Sequence, residues 1–351
     1  MNDDPAAPAD PVLVRVLRGG FLESVHRGAF AVADADGRLV HALGDTETPV
    51  FARSAIKALQ ALPLVESGAA DRFGFEPPDL ALSISSHNAE PQHTERAAAI
   101  LERLGLGPQH LRCGAQTPGD PAARRALAAS GAKPGAIHNN CSGKHAGFLA
   151  LGAHLGAEPE HYLDHGGAVQ SLVRDALAAM CGLDPDAIEH AIDGCSAPTY
   201  RLSLSAMATA FARLADPSSL VPERARAAGR LLDAAAAHPA LVAGEHKRLD
   251  TALLRATGGR LFCKVGAEAV YVVAERDSGH ALAIKVDDGG YRGLFPLVVG
   301  LCRELGWLDD RAVDALSDYA PGALRNWAGL EVGSVEVAAL GSPELRRDVE
   351  A

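Results

Sequence analysis

Hydrophobic residues near the start of the chain alternate with polar ones, which is typical of half-buried β-strands. The alternation runs through "VLVRVLRGG" and then through "GAFAVADADGRLVHALG". Asp36-Gly37 interrupts the second run, and this dipeptide favours a tight hairpin turn. From Ser54 to Gly68 the spacing becomes helical, with apolar residues at Ile56, Leu59, Leu62 and Val65. The chain is therefore predicted to open with strands that are followed by a helix.

The middle of the chain has the pattern of a series of helices, and the strand pattern returns near the C-terminus. Glycine, proline and aspartate turns separate the helices, which are predicted to begin near Gln92, Pro121, Lys144, Gly167, Asp184 and Ser203. "LFCKVG" and "AVYVVAERDSGHALAIKVDDG" then alternate like strands, and Asp277-Ser-Gly breaks the second into a hairpin. A helix from Leu294 to Leu305 and a last strand in "EVGSVEVAAL" complete the pattern.

Strands at both ends of the chain with helices between them predict an α/β (α+β) fold. We expect one antiparallel sheet that is built from both termini and packed with a mainly helical middle region. Residues 1–11 are predicted to be a flexible N-terminal tail, and residues 12–351 a single domain. The helical stretch at about residues 90–250 is a candidate subdomain, which would place a cleft between the two parts.

The composition is that of a globular enzyme-like chain, with 48% hydrophobic and 22% charged residues among 351. The formal net charge of −11 argues against binding to nucleic acid or to an anionic membrane surface. No run of about 18 apolar residues is present to span a membrane, and the opening "MNDDPAAPADP" does not look like a signal peptide. The six cysteines are thinly spread, so we expect free thiols in a reducing, cytoplasmic compartment.

Ser54 and Lys57 form the first candidate site. Residues three apart on a helix share a face, with Cβ atoms about 5–6 Å apart, and a helix start favours a negatively charged serine oxygen. Lys57 can accept the serine proton only if burial or a second cation lowers its pKa from about 10.4 towards 7. Taken alone, the pair is explained more simply as a helix N-cap beside a solvated lysine.

Two further motifs change this interpretation. Ser86-His87-Asn88 ends an alternating apolar run, and Lys264-Val-Gly266 lies on a predicted strand. The order SxxK, SxN, KxG is that of the penicillin-recognising serine enzymes and their glutaminase relatives. There the second serine passes protons and the second lysine adds positive charge, so that the two amines depress each other's pKa. The predicted catalytic residues are Ser54, Lys57, Ser86 and Lys264.

A second candidate site joins two predicted turns. "HNNCSGKHAGF" carries Cys141 and Lys144, and "AIDGCSAPTY" carries Asp193 and Cys195. Two thiols, a carboxylate and an amine can close a tetrahedral site, and thiolates suit zinc. Lysine is a rare ligand because it must first lose its proton, and His145 would be the conventional choice. Residue types alone leave open a pair of buried thiols beside a solvated lysine.

Five stretches together resemble the rhizobial-type L-asparaginases, the asparaginase II family. They are "RSAIKALQALPLVESGA", "SSHNAEPQH", "HNNCSGKHAGF", "DGCSAPTY" and "KVGAEAV", and their order and spacing match from Val12 to beyond residue 330. The resemblance implies a fold like that of serine β-lactamases and related glutaminases. It also implies hydrolysis of L-asparagine to L-aspartate and ammonia, by a protein that is expected to be a homodimer.

The resemblance implies a role for each residue of the first site. Ser54 would be the nucleophile that forms a covalent acyl intermediate, with Lys57 as its partner, and Ser86 and Lys264 would be the second serine and lysine.

For the second site the resemblance implies one zinc ion per chain. Its ligands would be Cys141, Lys144 and Cys195, with Asp193 as a further ligand or as a neighbour of the ligands. We expect zinc to hold the two turns and the substrate end in place, because the serine already supplies the nucleophile.

Substrate contacts are predicted beside these motifs. The α-carboxylate of asparagine needs a cation, for which Arg53 is the candidate, and His87 and Asn88 are candidate contacts from the second motif. A structural ion pair is the alternative for Arg53, and strand alternation would allow His87 to point away. His26-Arg27 and the turn in "DDGGYRG" are weaker candidates for the border of the cleft.

Three other functions remain open on the sequence. The chain is alternatively a glutaminase or a β-lactamase-like serine hydrolase, or a zinc-stabilised protein that binds asparagine without catalysis. In a third alternative, a metallo-amidohydrolase, zinc rather than Ser54 generates the nucleophile.

Overall fold

A computed structural model describes residues 10–337 of the protein. Its strands are β1 (Val12–Arg18), β2 (Phe21–Ala33), β3 (Leu39–Leu43), β4 (Val50–Phe51), β5 (His190–Ile192), β6 (Pro198–Leu202), β7 (Leu261–Gly266), β8 (Val270–Glu275), β9 (Ala281–Val286), β10 (Gly322–Arg325) and β11 (Glu331–Val337). Its helices are α1 (Lys57–Gln60), α2 (Leu62–Glu66), α3 (Ala69–Arg72), α4 (Pro77–Ser83), α5 (Pro91–Arg103), α6 (Pro121–Ala129), α7 (Ser142–Leu155), α8 (Ala168–Cys181), α9 (Leu204–Ala215), α10 (Pro222–Ala237), α11 (Pro239–Val242), α12 (Leu249–Ala256), α13 (Tyr291–Glu304) and α14 (Asp310–Ala315).

The larger sheet combines strands from both ends of the chain. Its order is β10-β11-β1-β2-β9-β8-β7, with β3 also paired to β2, and every pairing is antiparallel. The first half of β2 pairs with β1, and its second half lies between β3 and β9. The predicted fold class, an antiparallel sheet from both termini with a helical middle, is therefore confirmed.

Tight turns set the hairpins where the sequence predicted them. Gly37 adopts a φ of 87° in the turn between β2 and β3, and Gly279 a φ of 71° between β8 and β9. Glycine has no Cβ and so takes these left-handed conformations without steric cost. Both predicted hairpins are confirmed.

Helices cover the sheet and meet in one apolar core. Helix α9 packs on β2, β8 and β9, and its N-cap Ser203 accepts a hydrogen bond from the Ala206 amide at 3.1 Å. Helix α7 is buried throughout Ser142–Gly152 and packs against α2, α3, α4, α5 and α8. A helix that is apolar all round needs such a central position, and α7 carries the second candidate site at its start.

Three local expectations need correction or completion. The helix expected near Asp184 is only a single 3-10 turn, Pro185–Ala187, because the chain enters β5 at His190 and pairs there with β6. Strand β5 belongs to a small second sheet, β4-β6-β5, which the sequence did not predict. The helix expected from Ser54 to Gly68 is broken into a 3-10 turn and two short helices. Residues 1–9 of the predicted tail and residues 338–340 of the last predicted strand lie outside the described residues.

Between residues 10 and 337, no helix is both long enough and apolar enough to cross a membrane.

The start of α7 leaves no room for a side chain at Gly143. A Cβ there would lie against the backbone oxygen of Leu82 at the end of α4. Overpacking against backbone typically costs about 1–3 kcal/mol, so we expect Gly143→Ala to lower the free energy of unfolding by about 2 kcal/mol in denaturant titrations. Gly152→Ala in the same helix is the matched control, because its Cβ would meet Val169 at 3.4 Å and Ala157 at 4.0 Å, both ordinary contact distances. That variant should be neutral or slightly stabilising, since alanine favours helix. Equal losses in both variants would contradict this packing account.

Candidate active site

Ser54 lies in a single 3-10 turn, Arg53–Ile56, directly before α1. Lys57, three residues later, is the first residue of α1, and a spacing of three places two side chains on the same side of a helical segment. Arg53 enters the turn with a φ of 51°, a left-handed conformation that is uncommon for a non-glycine residue. Strand β7 presses on the same turn, because a Cβ on Gly266 would come within 2.9 Å of the Ala52 oxygen. This close approach brings Lys264 beside the serine turn.

Two buried lysine amines converge on the hydroxyl of Ser86. Lys57 and Lys264 are 1% and 0% exposed, and their Nζ atoms lie 3.0 and 2.9 Å from Ser86 Oγ. Lys57 also donates to the Ser85 carbonyl oxygen at 2.5 Å. The amide of Ser86 is held by the Val242 oxygen at 3.0 Å. Three of the four predicted catalytic residues are thus joined in one hydrogen-bonded chain, with Ser54 a turn away.

Burial gives Lys264 an unusual protonation equilibrium. Its pKa is lowered to about 7, chiefly by the loss of solvent; the Asp250 carboxylate opposes this shift, and the positive charges of Lys57 and Arg248 reinforce it. Asp250 is itself buried and accepts a hydrogen bond from the Val265 amide at 2.7 Å. Lys264 therefore exchanges a proton near neutral pH, as a proton carrier must.

A cavity of about 350 Å³ opens beside the two serines. Its lining residues are Ser54, Ser86, His87, Asn88, Gln116, Gly119, Asn140, Lys247, Arg248, Asp250, Val265, Gly266, Ala267, Tyr291 and Phe295. The two predicted contacts His87 and Asn88 are among them, as is Tyr291 from the "DDGGYRG" turn. Arg53, His26 and Arg27 are not among the lining residues, and His26 instead bonds Asp288 at 2.5 Å.

His87 and Asn88 are fixed by neighbouring groups. His87 Nδ1 accepts from the Ala89 amide at 3.1 Å, so its proton lies on Nε2, which donates to Ser142 Oγ at 2.9 Å. Burial holds the pKa of His87 well below its ordinary value, so the ring is neutral. Asn88 Oδ1 accepts from the guanidinium of Arg248 at 2.8 Å.

Arg248 is a cavity residue that the sequence did not reveal. Its Nη1 donates to the Ser86 oxygen at 2.7 Å and to the Ala243 oxygen at 2.9 Å, in addition to Asn88. It lies in "HKRLD" just before α12. In the sequence this stretch has the pattern of an exposed basic run, and nothing in it marks one arginine for the cavity.

The residues of the second candidate site lie directly beside the lysine pair. Lys57 Nζ approaches Cys141 Sγ at 3.1 Å, and Lys144 Nζ approaches Cys195 Sγ at 3.3 Å. Cys195 Sγ lies 3.6 Å from Asp193 Oδ2. Lys144 is buried rather than solvated. The structure therefore brings together both turns that the sequence singled out.

These groups shift each other's protonation. A hydrogen bond with the Cys195 thiol holds the pKa of Cys141 well below its usual range; burial opposes this, and the Lys57 and Lys144 amines reinforce it. The same hydrogen bond and burial raise the pKa of Cys195. Burial lowers the pKa of Lys144, but the two sulfurs and Asp193 outweigh it and the net shift is upward. The two thiols are thus inequivalent, and the lower pKa is that of Cys141.

The donor set fits a zinc ion. Tetrahedral bonds of about 2.0–2.3 Å put neighbouring donor atoms roughly 3.3–3.8 Å apart. The 3.3 and 3.6 Å separations that link Lys144, Cys195 and Asp193 fall in this range. Within the described part of the chain, no three His, Cys, Asp or Glu side chains cluster closely enough to hold a metal ion. A zinc site at this position therefore requires the amine of Lys144 as a ligand.

Arg53 connects the two sites. Its Nε donates to Asp193 Oδ1 at 2.6 Å, and the two side chains are 27% and 10% exposed. Burial raises the pKa of Asp193, but Lys144 and Arg53 together give a net lowering, so the carboxylate is ionised. The structure thus places Arg53 in an ion pair between the serine turn and the Cys195 turn.

The other cysteines have structural surroundings. Cys113, Cys181 and Cys302 are buried in the apolar core as free thiols. Cys263, next to Lys264 on β7, faces the Asp250 oxygen at 3.5 Å rather than the cavity.

The sequence matches a family model described as L-asparaginase II over residues 14–337. No curated protein matches it. Among solved structures, it is similar to a β-lactamase from Mycobacterium bovis at 13% identity and a TM-score of 0.39, with 84% of this chain and 95% of that chain covered. It is also similar to Mglu, with 13% identity and a TM-score of 0.41, and the match covers 80% of this chain and 60% of that chain. A third similar structure is the LovD6 mutant of simvastatin synthase from Aspergillus terreus, with 14% identity and a TM-score of 0.37. That match covers 83% of this chain and 90% of that chain. At TM-scores this low we draw nothing further from these likenesses.

The environment of Lys264 predicts an observable titration. In protein labelled with ¹³C-lysine, we expect the Lys264 Cε resonance to titrate near pH 7, charged below and neutral above. Asp250→Asn removes a negative charge that favours the charged amine, so the midpoint should move to lower pH. Asp277→Asn, at the exposed turn between β8 and β9, is the control and should leave the midpoint in place. A midpoint near the ordinary lysine value of about 10.4 would contradict this description of the site.

Proposed function

The chain belongs to the L-asparaginase II family, and from that premise we propose that it hydrolyses L-asparagine to L-aspartate and ammonia. Membership of the family supports hydrolase activity on amides. The observation that carries the proposal is the pair of buried amines, those of Lys57 and Lys264, on one serine hydroxyl beside the Ser54 cavity. A serine–lysine arrangement of this kind activates a hydroxyl nucleophile without a histidine.

The first step is removal of the Ser54 proton. Neutral Lys264 accepts a proton that Lys57 passes through Ser86 Oγ, along the 3.0 and 2.9 Å contacts. Lys57 is then neutral and takes the proton of Ser54, which lies one turn earlier in the chain. A pKa of about 7 leaves a large fraction of Lys264 neutral at neutral pH, and this neutral amine is able to accept the proton.

Acylation and deacylation follow from the same groups. Ser54 Oγ attacks the side-chain amide carbon of asparagine, and backbone N–H groups of the serine turn, that of Ser54 among them, hold the oxyanion. The C–N bond breaks as the relay returns a proton to the leaving nitrogen, which departs as ammonia. A water molecule, deprotonated by the same amine, then hydrolyses the aspartyl ester and regenerates the Ser54 hydroxyl.

We propose that a zinc ion is held by Cys141, Lys144 and Cys195, with Asp193 as a fourth ligand or as the partner of Arg53 beside them. Zinc would supply strong bonds to thiolates that fix two turns relative to each other. The chain's own residues position these turns against the serine relay through the Lys57–Cys141 contact at 3.1 Å. Homodimer formation remains a prediction of the family resemblance, and a cytoplasmic location remains a prediction from the sparse cysteines and the N-terminal sequence.

Preference for asparagine over glutamine would rest on the size of the cavity. One additional methylene changes binding by only about 1–3 kcal/mol in an apolar pocket. The glutaminase and β-lactamase-like alternatives are therefore tested by turnover of glutamine and a chromogenic β-lactam beside asparagine.

Ser54→Ala is expected to lower the rate of ammonia release by at least about 10³-fold, because the nucleophile is lost. Brief mixing of the unaltered protein with asparagine should add an aspartyl group to Ser54, detected by mass spectrometry of the peptide. Ser130→Ala, at an exposed serine after α6, is the control and should retain full activity. Substantial activity in Ser54→Ala that is lost on metal removal would instead indicate a metallo-amidohydrolase. Absence of turnover in the unaltered protein, together with tight asparagine binding, would indicate a binding protein.

Cys195→Ala is expected to lose bound zinc, measured by elemental analysis of the purified protein, and to unfold at a lower temperature. The physical reason is that removing a thiolate from a tetrahedral site removes one of its strongest bonds. Cys302→Ala is the matched control, since it also empties a buried thiol position but lies in the apolar core. It should lower the unfolding temperature without changing metal content. Zinc retained at full stoichiometry in Cys195→Ala would contradict the proposed ligand set.

A further inference from the structure

Few charged residues line the cavity and could bind the charged groups of an amino-acid substrate. Its lining includes two cations, Lys247 and Arg248, and one carboxylate, Asp250. If the substrate is L-asparagine, as proposed above, its α-carboxylate must give up water on entry and needs a compensating cation. The inference below rests on that proposed function and concerns which cation it is.

Arg248 is held in place before any ligand arrives. Its Nη1 donates to the Ser86 oxygen at 2.7 Å and to Asn88 Oδ1 at 2.8 Å, so the guanidinium is anchored to the segment that carries the second catalytic serine. Its Nη2 lies 3.5 Å from Asp250 Oδ2, beyond a good hydrogen bond. The side chain is 17% exposed. Arg248 lines the cavity, and a guanidinium anchored through Nη1 retains further N–H groups that suit bidentate recognition of a carboxylate.

The other two candidate cations, Arg53 and Lys247, are less suited to binding the α-carboxylate. Arg53 uses its Nε for Asp193 at 2.6 Å and does not line the cavity. Lys247 lines it, but its side chain is exposed at the rim, where water screens a flexible point charge. Position and anchoring therefore both favour Arg248.

We propose that Arg248 binds the α-carboxylate of the substrate and so selects α-amino-acid amides over neutral amides. Asp250, next to it, is placed to receive the α-ammonium group of the same substrate. This assignment replaces Arg53, the cation expected from the sequence, and leaves Arg53 as the link between the serine turn and Asp193.

Binding to the Ser54→Ala protein tests the assignment without turnover. Isothermal titration would compare L-asparagine with β-alaninamide, which is asparagine with hydrogen in place of the α-carboxylate. Adding Arg248→Met should weaken asparagine binding roughly 100-fold more than β-alaninamide binding, because a charge-assisted bidentate contact is lost. Adding Arg248→Lys should give an intermediate change in this ratio, about 10-fold, since the charge remains but the fork does not. The matched control is Arg226→Met, at an exposed arginine of α10, and it should leave the ratio unchanged.

Each contrary outcome has a distinct meaning. Equal weakening of both ligands in the two Arg248 variants would show that Arg248 only positions Ser86 and Asn88, and would overturn the proposal. If Arg53→Met lowers the ratio of asparagine affinity to β-alaninamide affinity and Arg248→Met does not, Arg53 is the residue that binds the α-carboxylate. Hydrolysis of asparagine by Ser54→Ala would rule out the serine mechanism. The ratio of asparagine affinity to β-alaninamide affinity would still decide the role of Arg248. If the Met variant does not fold, the Lys variant decides it alone.

Discussion

The burial of two amines around one hydroxyl is the constraint on which the rest of the structure depends. Two positive charges removed from water repel each other strongly, so the arrangement is stable only if one amine gives up its proton or both find acceptors. Lys57 has the Ser85 oxygen and Cys141 as partners, and Lys264 responds with a pKa of about 7. The serine turn, β7 and the segment after α4 must all be rigid to maintain this, and the packed α7 beside them provides that rigidity.

The sequence predicted the elements that have a strong local pattern. Both hairpins of the large sheet follow from the alternation of apolar and polar residues and from the turn residues Gly37 and Gly279. Both have positive φ angles, which glycine adopts easily because it lacks a Cβ atom. The small sheet of β4, β5 and β6 was missed because β4 has only two residues and β5 three, too few to show a period. The apparent helix at Asp184 begins with a good cap and a proline that suits a helix start, but the pairing of β5 with β6 ends it after one turn.

The site was predictable as a set of motifs and not as a geometry. Each motif places two chemical groups within a few residues, and the family resemblance supplied the order in which the motifs occur. Contacts that join distant segments have no local pattern, which is why the ion pair of Arg53 with Asp193 was only one of two alternatives. The position of Arg248 at the cavity could not be predicted for the same reason. Its guanidinium is held there by the Ser86 and Asn88 oxygens, which lie far from it in the sequence.

The interleaving of both termini in one sheet has a consequence for synthesis on the ribosome. The second half of β2 leaves the exit tunnel early, yet β9, its neighbour at the sheet centre, is translated only after the whole helical middle. During that interval an apolar strand edge stands unpaired, which is the kind of surface that chaperones bind and that aggregates nucleate on. Lys264 also comes late in this order, on β7, so a nascent chain that already carries Ser54 and Lys57 lacks the second buried amine of the site. The candidate site can thus be assembled only after β7 has been synthesised.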